Sequence, residues 1–75
     1  MEKLITSIVK PLVDHPEEIT IRIEEFDSKV LYTLSVHEDD MGKVIGKQGR
    51  IAKAIRTVVY AASAHSEKRV ILEIQ

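Results

Sequence analysis

Two glycines separated by two polar residues, Gly46-Lys47-Gln48-Gly49, stand between the apolar pair Val44-Ile45 and a long run of helical periodicity. No other feature narrows the choice of fold as much. Glycine reaches positive φ without steric cost, and with no Cβ it lets another backbone come within contact distance. The pattern predicts a turn between two helices, open to close approach. The helix that begins near Arg50 offers unpaired N–H groups and the positive end of its dipole at the same place. Lys47 and Arg50 add charge, so phosphate is the ligand this arrangement suits. Phosphate contacts position a nucleic acid without reading its sequence, so base selection has to come from other residues.

Upstream, Leu4, Ile5, Ile8, Val9 and Leu12 recur at helical spacing over residues 2–13. Pro11 lacks the N–H that would bond to Ser7 and biases Lys10 away from the α region, so this helix is expected to end or kink there. Asp14-His15-Pro16 reads as a turn. Ile19, Ile21 and Ile23 then alternate with polar neighbours, the signature of a half-buried strand. Residues 26–29 read as a hairpin loop and residues 30–37 as a second strand, with Tyr32, Leu34 and Val36 on one face. Asp39 or Asp40 is expected to cap a short helix that starts near Met41. Beyond the glycines, a helix over residues 50–64 carries Ile51, Ile55, Val58, Val59 and Ala62 on a central stripe. Val70, Leu72 and Ile74 alternate in a last strand. The order α-β-β-α-α-β predicts an α+β fold with one three-stranded sheet covered on one face by helices. We expect a single domain over residues 1–75.

The helix after the glycines has a wider apolar arc than one sheet needs, because Ala54 and Ala61 extend it beyond Val58. A smooth face of small residues allows close helix approach, and self-association is expected through Ala54, Val58 and Ala61 with Tyr60 at the edge. The plainer explanation is that the alanines are there as good helix formers. A core drawn from 75 residues that are 44% apolar supplies only about 3–5 kcal/mol of net stability, so burying more surface between chains would help.

The net charge of −1 argues at first against a nucleic-acid partner. Its distribution argues the other way: residues 1–40 carry ten acids and four bases, residues 41–66 carry five bases and no acid, and residues 67–75 carry two of each. Salt screens the remote acids beyond about 8–10 Å, so the basic segment can still attract a polyanion locally. Lys43, Lys53 and Arg56 are candidates to extend a phosphate track past Lys47 and Arg50, although basic residues on a helix also serve simply as its solvated face.

The run Val44-Ile45-Gly46-Lys47-Gln48-Gly49, followed by Arg50 and Ile55, resembles the signature of KH domains, whose GxxG loop clamps the backbone of about four nucleotides. The element order agrees with the type II KH arrangement. Residues 42–59, in so short a chain, are similar to the small bacterial single-KH-domain RNA-binding proteins of the KhpA family, and the resemblance covers essentially the whole sequence. It implies single-stranded RNA as the ligand, with Gly46, Lys47, Gln48 and Gly49 as the clamp. Arg50, Lys43 and Lys53 would lie beside it, ahead of Arg56. Val36, Val44, Ile45 and Ile51 would face an apolar groove for the bases. The resemblance also implies an RNA chaperone or post-transcriptional regulator linked to cell envelope growth, including cell shape and cell wall biogenesis. Beside the self-association expected from the apolar arc, the same likeness implies pairing with a larger KH-containing protein.

Other chemistry finds little purchase. His15, His37 and His65 are far apart along the chain and have no cysteine companions, so they read as surface residues and no metal site is expected. Helix capping explains Asp39 and Asp40 beside His37 more simply than acid–base catalysis does. The glycine spacing is not that of a P-loop, and no nucleophile constellation is visible, so neither a cofactor nor an enzymatic activity is expected. With 4% aromatic residues, base stacking should not dominate RNA contact. The absence of cysteine, of a signal peptide and of a spanning apolar segment is consistent with a soluble cytoplasmic protein away from membranes. The competing reading is a KH-like protein-interaction module that keeps the fold without binding RNA.

Overall fold

A computed structural model describes the backbone of residues 1–75 and the side chains of all but Lys47 and Gln48. Helix α1, Glu2–Val9, buries Ile5 and Val9 completely. Pro11 ends it: Lys10–Leu12 forms one 3-10 turn, which leaves Leu12 at the surface and outside the buried stripe. A second 3-10 turn, Pro16–Glu18, leads into the sheet.

Strands β1 (Thr20–Glu25) and β2 (Lys29–Ser35) form an antiparallel hairpin in which Ile21 faces Leu34 and Ile23 faces Tyr32. The backbone N–H of Phe26 donates to the Lys29 carbonyl at 2.8 Å and closes the hairpin. Strand β3 (Arg69–Ile74) lies on the other side of β2 and parallel to it, with Leu72 opposite Tyr32, so the sheet order is β1-β2-β3. Parallel neighbours need a crossover, and α2 (Glu38–Ala62) supplies it.

Helices cover one face of the sheet, as the strand alternation predicts. Ile5, Val9, Val13, Leu34, Val44, Ile55, Val59 and Leu72 form the buried cluster, flanked by half-buried Ile8, Ile19, Ile21, Tyr32, Val36, Ile51, Val70 and Ile74. Three expectations are revised. Ile23 is 43% exposed, because β1 is an edge strand with a neighbour on one side only. Val58, 44% exposed, and Ala62 leave the predicted stripe, since a three-stranded sheet is covered by the narrower arc of Ala52, Ile55 and Val59.

The third revision concerns the glycine turn. Helical hydrogen bonding runs through residues 46–48 where a four-residue loop was expected, and of the glycines only Gly49 has a positive φ, 70°. One left-handed residue is enough to end a helix and redirect the chain into the next, and glycine takes that conformation without a Cβ clash. α2 is therefore two helical arms, residues 38–48 and 50–62, and counted this way the order is α-β-β-α-α-β. None of the described helices is long and apolar enough to cross a membrane.

Candidate nucleic-acid interface

The arm that leads to the glycines is fixed at its start by His37 and Asp40, in roles other than those the sequence predicts. α2 begins at Glu38, three residues ahead of expectation, because His37 and not an aspartate is the N-cap: its Nδ1 accepts the Asp39 backbone N–H at 3.0 Å. Asp40 is fully buried. Its two carboxylate oxygens accept the backbone N–H groups of Asp14 and His15, each at 2.9 Å, and so tie the segment before β1 to the first turn of α2. Burial pushes the Asp40 carboxyl up, but the two backbone donors, with the charges of His15 and Lys43, outweigh it and hold the group below its ordinary value.

At the glycine junction, Gly46 and Gly49 are half-buried, and a Cβ built on either would meet no heavy atom within 4 Å. The backbone there is open to an approaching chain. Ile45 is 48% exposed, and Arg50 and Lys53 are exposed and belong to none of the ion pairs among the described residues. Lys47 and Gln48, named as clamp residues, have side chains outside the described part of the molecule.

The remaining candidates separate. Lys43 pairs with Asp14 and also senses Asp40; the Asp14 hydrogen bond leads in raising its pKa. It is a tether between α2 and the preceding segment before it is a phosphate ligand. Arg56 is half-buried and its Nε donates to the Leu72 carbonyl at 3.3 Å, which draws it toward β3. Val44 is fully buried in the core and lies beneath any groove surface, whereas Val36 and Ile51 are half-buried. Of the apolar candidates, Ile45 is the one most open to a ligand.

Ala54, Val58, Ala61 and Tyr60 are all exposed on the second arm, away from buried Ile55 and Val59. The Tyr60 hydroxyl accepts the Leu72 backbone N–H at 3.4 Å, so this ring leans toward β3 while the other three form the open face. Of the histidines, His65 is exposed as expected, whereas His15 and His37 are half-buried and stack with ring centroids 4.0 Å apart.

Comparison with known proteins adds to this geometry. Residues 2–74 match the family described as KhpA/KhpB, KH domain. The chain is 64% identical over 74 residues to the RNA-binding protein KhpA of Listeria monocytogenes, covering 99% of this chain and 97% of that protein. It is 60% identical over 74 residues to the RNA-binding protein KhpA of Bacillus subtilis, covering 99% and 91%. The corresponding protein of Clostridium acetobutylicum is 50% identical over 74 residues, with 99% of each chain covered.

Proposed function

Because this chain belongs to the KhpA/KhpB family of KH domains, we propose that it is a non-catalytic protein that binds single-stranded RNA across the Gly46–Gly49 junction of α2. The observation that carries this reading is the pairing of a left-handed Gly49 with empty space over Gly46, beside exposed Arg50 and Lys53. A sugar–phosphate backbone can lie against that surface while the second arm directs its first N–H groups at a phosphate. Lys47 and Gln48 complete the clamp, Lys43 contributes once released from Asp14, and Ile45 with Val36 offers apolar contact to the bases. The names of the relatives, RNA-binding proteins, support the same ligand.

About four phosphates engaged would give a slope of log affinity against log salt of roughly −3, since each contributes about −0.7 on single strands. One clamp of this kind binds weakly, and we take the working form to be a dimer, through the Ala54, Val58 and Ala61 face, with a second copy or a larger KH-containing partner. Its role is that of an RNA chaperone or post-transcriptional regulator in the cytoplasm.

Changing Lys47 and Gln48 together to Asp tests the site. Fluorescence anisotropy with a labelled single-stranded RNA should register loss of binding, while circular dichroism and sedimentation stay those of the wild type. RNA binding that survives the double change would place the contact elsewhere. A wild-type chain that binds no RNA at any salt would favour the protein-interaction module.

A further inference from the structure

At the N-terminal end of α2, ahead of its glycines, three side chains of metal-ligand type converge. His15 comes from the segment before β1, His37 caps the helix and Asp39 lies in its first turn. Asp39 Oδ2 is 3.6 Å from His15 Nε2 and 3.6 Å from His37 Nδ1, and one ligand atom from each of the three residues lies within 4.8 Å of the others. A separation of 3.6 Å is too long for a hydrogen bond. It is close to the distance of about 3.4 Å between neighbouring ligand atoms around a tetrahedral ion with bonds of about 2.0–2.2 Å. A second carboxylate, Glu17, stands 3.6 Å from Nδ1, the other ring nitrogen of His15. That is where an outer carboxylate steadies the ring of a metal-bound histidine.

We propose that His15, His37 and Asp39 form a surface site for a divalent transition-metal ion, with water completing the coordination. Two imidazole nitrogens and one carboxylate oxygen suit zinc and its neighbours, whereas calcium and magnesium favour oxygen ligands throughout. The side chains of His15 and His37 are 36% and 34% exposed and that of Asp39 is 74% exposed, so water reaches the site and the stacked rings, inclined at 26°, have room to turn their lone pairs onto one ion. Coordination through His37 Nδ1 takes the acceptor that now caps the Asp39 N–H, replacing a local hydrogen bond with a cross-link between α2 and the segment before β1.

Titration of the 15N-labelled full chain with zinc chloride, followed by NMR and calorimetry, tests this. The expected result is saturable uptake of one zinc ion per chain, with shifts in the ring signals of His15 and His37 and in the Asp39 amide, and none at His65. His15→Ala and Asp39→Asn should each weaken zinc binding by about tenfold or more, the scale seen when a metal site loses a supporting group. His65→Ala should bind as wild type. Should His15→Ala fail to fold by circular dichroism, the exposed Asp39→Asn change carries the test alone. The proposal is overturned if Asp39→Asn retains wild-type affinity, if zinc shifts His65 or the chain terminus in place of His15 and His37, or if no saturable uptake occurs at millimolar zinc.

Discussion

A Cβ built at Gly46 meets no heavy atom within 4 Å, and the same is true at Gly49, yet only Gly49 has a positive φ, 70°. The two positions should therefore respond in opposite ways to alanine. Gly46→Ala places a good helix former in a helical backbone and should raise stability by up to about 1 kcal/mol. The same methyl fills the space through which a phosphate backbone would approach, so RNA affinity should fall by about tenfold, or ~1.4 kcal/mol. Gly49→Ala forces a left-handed conformation on a residue with a Cβ and should cost about 1–2 kcal/mol of stability. Urea unfolding and RNA titration of both variants read the two effects separately. A Gly46→Ala protein that is more stable and still binds RNA as wild type would show that nothing passes over that glycine.

At the scale of elements, α2 is held to the rest of the chain by buried Asp40, whose carboxylate is the acceptor for two backbone N–H groups of the segment before β1. The folded carboxyl is held below its ordinary value, so the anchor contributes fully above the unfolded value of about 3.9 and is lost as the pH falls through the folded one. Stability measured by urea should drop below about pH 4, and in Asp40→Asn, which cannot titrate, that drop should be shallower from a lower starting point. An acid limb unchanged by the substitution would remove Asp40 from this role. None of this was legible in the sequence, and the reason is physical. Alternation in β1, β2 and β3, the proline stop after α1 and the glycine junction are local patterns, set by neighbours a few residues apart. The Asp40 tie spans 26 and 25 residues, and the His15–His37 stack joins the same two segments, so both exist only once the segment before β1 has docked on α2. Arg56 was readable as basic and helical, but its pull toward the Leu72 carbonyl depends on where β3 lies. Likewise, helical spacing identified Val58 as apolar without revealing that three strands are too narrow to cover it.

The whole molecule exposes more surface than its size requires. A compact monomer of 8.5 kDa is expected to show about 4,700 Å², and this chain shows 5179 Å². On the second arm of α2, Ala54, Val58 and Ala61 face solvent at residues small enough for two helices to approach closely. Covering this face with a second copy would enlarge a modest core and hold two glycine junctions in one particle. RNA able to reach both would then bind with an avidity up to about a hundredfold above one junction alone, provided its length spans them. Val58→Glu separates these contributions, because Val58 is already 44% exposed and the charge need not disturb the core. The variant should sediment as a monomer, lose the avidity on a long RNA, and keep the affinity of the wild type for an RNA short enough to occupy a single clamp. A variant that remains dimeric would move the interface off this arm. One that becomes monomeric yet binds long and short RNA as the wild type does would mean that pairing, though real, leaves the two junctions unable to share a strand.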